Sequence, residues 1–377
     1  MILGLVIFIL YLYFFVGFND IFLVIENVDL TRYLVYYSLA VGTLLLVMFL
    51  WVLSWKTLLN ALKIQISIKK AFLYYWVGYF IDLVVPCQGV CGEAARMYLV
   101  RKETKNDYGA IAACGVTNRI AFYTVVTLGL SAGFVYLLSS ATMPPAVLYI
   151  LLVAWVGSVI HVGVLLYLAL SSQAVSKLAS LIFRALKFLR IKKYSSEETV
   201  QKTFRFLSLF HRGSTFFRKN PRHLILPFAL QILSYVLYIA VYALLISTLG
   251  YNLLFIDFFL VVYFLAGAIQ DASAVFSVGA LEIVLTSVFL FYGFGSAAES
   301  GVAVAMLRSV TFWFPVIVGY IIIQVIGAKS VLAQRDRSPF EVDLKSGGEG
   351  EKPKPSSEGA LPGVSQMPKP EDTLSQV

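Results

Sequence analysis

Predominantly apolar runs cover residues 2–18, 34–55, 110–138, 146–170, 223–249 and 303–327. A bilayer-crossing helix needs about 20 mostly apolar residues, so these six runs predict full spans. Two further apolar stretches are interrupted. Residues 71–92 contain Asp82, Pro86, Gln88, Gly89 and Gly92 before running into Glu93 and Arg96. Residues 256–293 contain Gln270, Asp271, Ser273, Ser277 and Gly279 before Glu282. Each reads as two short helices around a polar break. Re-entrant hairpins have this composition, tolerated where the freed backbone faces protein or water.

Composition supports a membrane interior. The 377 residues are 59% hydrophobic and only 14% charged, with a mean hydropathy of +0.82. A soluble domain is nearer half apolar and a quarter charged. The predicted fold class is an all-α polytopic membrane helix bundle. The first run is expected to be a retained helix rather than a signal peptide. No basic segment precedes it, and no small-x-small cleavage site follows before Asp20.

Loop charges orient the spans. Residues 19–33 carry Asp20, Glu26 and Asp29 against Arg32, and are placed outside. Residues 56–70 carry Lys56, Lys63, Lys69 and Lys70 with no acid, and are placed in the cytoplasm. The loop at 94–108 keeps a basic excess and is also cytoplasmic, so the first broken segment leaves on the side it entered. Between Lys177 and Arg222 there are twelve Lys or Arg and only Glu197 and Glu198 as acids. Such a block marks a cytoplasmic loop near anionic lipid, and no nucleic-acid partner is expected. Both termini then fall in the cytoplasm of a multi-pass cell-membrane protein. At the start of this loop Leu178, Leu181, Ile182, Ala185 and Leu189 share one helical face, as in an interfacial helix.

The expected organisation is a membrane domain over 1–330 and a tail. Its halves are about 1–140 and 145–330, with the basic loop at 171–222. Residues 338–377 are rich in Gly, Pro, Ser, Lys and Glu and read as a disordered cytoplasmic tail. Each half is span, span, hairpin, span. An odd number of full spans inverts the second half relative to the first, a plan common in transporters.

Chemistry-bearing positions repeat with that organisation. Gly78, Asp82, Glu93 and Arg119 recur 189 positions later as Gly267, Asp271, Glu282 and Arg308. Ionisable side chains inside a membrane are costly and face a protein interior or an aqueous cavity. Glycines before Glu93 let a helix start expose backbone N–H groups to an anion. Arg96 is placed to pair with Glu93 or to grip a phosphate. Glu93–Arg119 and Glu282–Arg308 read equally as structural pairs and as ligand-contacting groups. The second copy has no arginine matching Arg96.

Several chemistries are not expected. His161, His211 and His223 have no metal-ligand spacing, so no metal is predicted. No nucleotide-binding glycine motif with its lysine is present, and no cofactor is predicted. Cys87, Cys91 and Cys114 read as buried free thiols rather than a disulfide framework.

The segment Pro86…Gly92-Glu93-x-x-Arg96, then Arg119, then Gly279-x-x-Glu282 followed by Arg308 and Pro315, resembles the flippase-like membrane domain of lysylphosphatidylglycerol synthetases. The resemblance spans roughly residues 1–330 and implies movement of a lipid or lipid-linked headgroup between leaflets. Asn118 stands where that family often has an acid. No aminoacyl-transfer domain follows, so lysyl-lipid synthesis is not expected.

The expected ligand is a phospholipid or polyprenyl-phosphate carrier with an anionic headgroup. The residues assigned to it are Asp82, Glu93, Arg96, Arg119, Asp271, Glu282 and Arg308, with Pro86, Gly92, Gly279 and Pro315 shaping the hairpins. Two other functions fit the same residues: a membrane-embedded lipid-modifying transferase, and an accessory subunit that presents lipid to a partner lipid-processing enzyme. Translocation without catalysis is the leading expectation.

Overall fold

The computed structural model describes residues 26, 29–85, 90–139, 145–171, 173–174, 177, 197–250, 280–291 and 296–335. Every regular element among them is helical. The expected first span at 2–18, the amphipathic face at 178–189, the first arm of the second hairpin and the tail at 338–377 lie outside the described residues. So do Pro86, Cys87, Gly267, Asp271 and Gly279. The chain divides into one compact unit over Met1–Ile326 and a second that begins at Gly327.

Helix α1 covers Leu30–Ala61 and starts on Asp29, whose carboxylate accepts from the N–H groups of Thr31 (2.9 Å) and Arg32 (3.2 Å). Such a cap satisfies orphan donors of the first turn. Helix α2 covers Ile68–Val84 and α3 covers Val90–Thr104. Helices α4 (Tyr108–Ser139), α5 (Pro145–Leu170), α6 (Glu197–Lys219) and α7 (Arg222–Ser247) follow. Next come α8 (Ala280–Phe291) and α9 (Ala297–Arg308). A π-helical turn at Ser309–Trp313 then leads into α10 (Phe314–Arg335). Among the described residues, Leu30–Ala61, Tyr108–Ala132, Arg222–Ser247 and Ala297–Gly327 are long and apolar enough to cross a membrane. The predicted span at 146–170 falls on α5.

Helices α1 and α7 form the central seam and run antiparallel. At one end Arg32 Nε donates to the Ser247 carbonyl at 2.9 Å, a cation on the C-terminus of α7. Further along, Trp51 Nε1 donates to Ser234 Oγ at 3.0 Å, and Gln231 Nε2 donates to Ser54 Oγ at 3.2 Å. Asn118 brings in α4: its Oδ1 accepts from Ser54 Oγ at 2.7 Å and Gln231 Nε2 at 3.2 Å. In lipid each such interhelical bond contributes about 0.6 kcal/mol and rarely more than ~2. Three of these helices are therefore keyed by polar groups inside an otherwise apolar interior.

Helices α2 and α3 lie antiparallel as a helical hairpin. Lys70 pairs with Glu103 at its open end, Tyr75 faces Arg96, and Gly78 abuts Gly92 near the tip. The crossing is close. A Cβ on Gly92 would overlap the Gly78 carbonyl and the Asp82 carboxylate, and one on Gly78 would overlap Arg96. Helix α2 has 17 residues and α3 has 15. At 1.5 Å per residue both fall short of a hydrocarbon core about 30 Å thick.

The two larger apolar clusters among the described residues line the interior. One joins Met48, Trp55 and Leu58 of α1 to Trp76, Ile111 and Phe217 around the hairpin. The other joins Leu44, Val126, Leu245, Phe289 and Val304 around α8 and α9. Helix α6 seats Phe210 and Phe217 inward and leaves Arg212, Arg218 and Lys219 exposed. It rests on the start of α4 through glycines: a Cβ on Gly213 would come within 2.6 Å of Ala113 Cβ.

Candidate functional site

Helix α2 carries Tyr75, Gly78 and Asp82 on one face, at helical offsets of three and seven. Opposite them, the first turns of α3 supply Gly92, Glu93 and Arg96. Arg119 reaches in from α4. Asp82 is the shared partner. Its Oδ1 accepts from the Gly92 N–H at 2.8 Å, and its Oδ2 lies 3.4 Å from Arg96 and 3.8 Å from Arg119. Arg96 also donates to Glu93 Oε2 at 3.0 Å and lies over the Tyr75 ring at 4.2 Å. The Arg96 side chain is 6% exposed and that of Arg119 is 21% exposed, so Arg119 is the better placed to meet a ligand.

The expected Glu93–Arg119 pair takes a different form. Glu93 leans on α4 at Gly115, one turn before Arg119, where a Cβ would come within 2.7 Å of its Oε1. Among the described residues it is Asp82 that places a carboxylate against Arg119, at 3.8 Å. Sequence spacing alone could not choose between two acids on opposite arms of one hairpin.

The second centre is drier. Glu282 sits in the first turn of α8 and Arg308 ends α9, with Arg308 Nε donating to Glu282 Oε1 at 2.6 Å. Both are buried. The guanidinium lies 4.4 Å from the Phe312 ring centroid, within cation–π range. Arg308 adjoins the π-helical turn, in which the Phe314 N–H donates to the Ser309 carbonyl. Pro315 follows, and its missing N–H leaves the Thr311 carbonyl without its α-helical donor. The hydroxyls of Tyr37 and Ser309, 2.8 Å apart, fasten this turn to α1.

An aromatic group lies between the two centres. Trp51 of α1 contacts Tyr79 of α2 at 5.9 Å, Phe122 of α4 at 6.1 Å and Tyr238 of α7 at 6.0 Å. Tyr238 in turn contacts the Tyr242 ring at 5.6 Å. Tyr79 lies within electrostatic reach of both Asp82 and Arg308. The two centres therefore belong to one polar-aromatic interior. Among the sequence candidates, Asp82, Gly92, Glu93, Arg96 and Arg119 converge at the first centre, and Glu282 and Arg308 meet at the second, beside Pro315.

The aromatic partners Tyr75, Tyr79, Trp51 and Phe312 were not among those candidates. The signal was the shared face of Tyr75, Gly78 and Asp82, and the four-residue spacing of Arg308 and Phe312.

Residues 1–319 match the family described as Lysylphosphatidylglycerol synthase TM region. The chain belongs to that family. It is also similar to UPF0104 membrane protein PH1989 of Pyrococcus horikoshii, with 26% identity over 283 residues, 73% of this chain and 82% of that protein. No solved structure matches the chain.

Other chemistry in this lysylphosphatidylglycerol synthase TM family member is limited to smaller features. Among the described residues no three His, Cys, Asp or Glu side chains are grouped to hold a metal. Cys114 is a buried free thiol as expected, but Cys91 is disulfide-bonded, which corrects the free-thiol reading for that residue. At the hairpin's open end, the hydrogen bond to Glu103 holds the Lys70 ammonium above its usual pKa.

Proposed function

We propose that this protein translocates a lipid with an anionic headgroup, a phospholipid or a polyprenyl-phosphate carrier, between membrane leaflets. The observation that carries the reading is the pair of buried arginine–carboxylate centres, Asp82–Glu93–Arg96–Arg119 and Glu282–Arg308, joined by the aromatic group at the α1–α7 seam. Charged groups inside a membrane protein mark substrate pathways. An arginine beside a helix N-terminus suits a phosphate. Membership of the lysylphosphatidylglycerol synthase TM family supports a lipid as the cargo.

The proposed architecture is an inverted repeat in a cell membrane, with both termini in the cytoplasm. Antiparallel packing of α1 against α7 supports it, because these helices hold corresponding places in the two halves. The short arms of the α2–α3 hairpin support re-entry from one side. Arg119 is then the first contact for a headgroup arriving along the hairpin, Arg96 holds the hairpin closed around it, and Arg308 serves the opposite half.

The test is reconstitution into vesicles containing acyl-labelled fluorescent phosphatidylglycerol, with leaflet exchange followed by dithionite quenching. Wild-type protein accelerates exchange, and Arg119→Ala and Arg308→Ala each lose most of it. Unchanged exchange in both variants would remove these arginines from the transport path.

A further inference from the structure

We propose that Asp82 is a built-in anion seated where the lipid phosphate binds, and that the phosphate replaces it as the displaced carboxylate takes up a proton. Headgroup binding is thereby coupled to proton binding. The inference rests on the translocase reading and adds the ion that accompanies the lipid.

The donors around Asp82 are those a phosphate needs. They are the Gly92 N–H in the first turn of α3 at 2.8 Å and the guanidinium groups of Arg96 at 3.4 Å and Arg119 at 3.8 Å. Two arginine forks and a helix-start N–H make a phosphate site, and here a carboxylate of the same chain fills it. The centre also has donor capacity its carboxylates do not use: Arg96 Nε is buried with no hydrogen-bond partner. Glu93 plays a different part, since it bonds Arg96 at 3.0 Å and leans toward Gly115.

Charge decides what happens when a phosphodiester arrives. Among the described residues Asp82 and Glu93 balance Arg96 and Arg119, so an added monoanion competes with Asp82 for the same two cations. The Asp82 side chain is 15% exposed, too little for water to solvate a displaced carboxylate well. A carboxylate losing its cations in such surroundings neutralises instead. One proton passes from bulk water to an Asp82 oxygen, no other bond is made or broken, and the charge balance returns. The neutral acid then offers an O–H to the phosphate it admitted.

Among the described residues, the other groups near this exchange are Tyr75 and Tyr79 of α2, Glu93 and Arg96 of α3, and Arg119 of α4. His161 of α5 lies within reach of Arg119, and Arg308 of α9 within reach of Tyr79. Among them Asp82 is the carboxylate that sits against both arginines of the hairpin centre.

Calorimetric titration of the full chain in micelles with dihexanoyl-phosphatidylglycerol tests the coupling, run in two buffers of different ionisation enthalpy. Wild type takes up about one proton per lipid bound, and its affinity falls as pH rises. Asp82→Asn, with the competing charge gone, binds about tenfold tighter, independently of pH and without proton uptake. Wild-type binding without proton uptake, or an Asp82→Asn variant that binds more weakly or still takes up a proton, overturns the coupling and leaves translocation standing. A wild type that takes up protons stands as support even where the Asn variant fails to fold. Absence of lipid binding by both proteins overturns the coupling and the translocase reading together.

Discussion

Glu282 and Arg308 are buried against each other, so removing either takes a close countercharge from the other. Glu282→Gln is expected to destabilise the protein by about 3–5 kcal/mol, because breaking a buried ion pair from one side costs more than the pair contributes. Replacing both with apolar residues of similar volume is expected to restore most of the loss. Thermal unfolding in detergent measures both. Asn118 acts differently, since its side-chain oxygen holds Ser54 and Gln231 and so sets the rotation of α4 that aims Arg119 at Asp82. Asn118→Leu is expected to cost about 1–2 kcal/mol through two lost interhelical bonds. The charged residues at this scale were legible in the sequence because ionisable groups stand out in apolar runs. The Glu282–Arg308 pair was legible as well, but the pairing at the hairpin centre was not: Asp82 and Glu93 differ in partner through the angle of the hairpin, which no spacing records.

At the scale of elements, the α2–α3 hairpin depends on two glycines in contact. Gly92→Ala places a methyl group into the Gly78 carbonyl and Asp82, an overpacking expected to cost about 1–3 kcal/mol. Lipid exchange is expected to fall with it, since the added methyl meets the Asp82 carboxylate and shifts it from its place in the centre. The π-helical turn is a second such device. Pro315→Ala returns an N–H to the Thr311 carbonyl and favours continuous α-helix, which rotates Arg308 relative to α10. Stability is expected to hold while exchange drops, a split that thermal unfolding and the vesicle assay read separately. Spans 34–55, 110–138, 223–249 and 303–327 were legible because long apolar runs have few other structures open to them. The π turn was not, because Pro315 in a span equally suits a kink.

For the whole molecule, the antiparallel α1–α7 seam is fixed at the Arg32–Ser247 end and again at the Ser54–Gln231–Asn118 knot. A flexible thiol crosslinker joining Arg32→Cys to Ser247→Cys is expected to leave lipid exchange unchanged, because that end of the seam already behaves as joined. Loss of exchange on crosslinking would show that the seam must part.

The Arg32–Ser247 clasp has a mechanical meaning. A pair of helices pinned at two points cannot slide as a piston, so the seam is the axle of the machine rather than its moving part. In the proposed translocase the short-armed hairpin is then the part that swings against that axle, its two arms held together by the contact of Gly78 with Gly92.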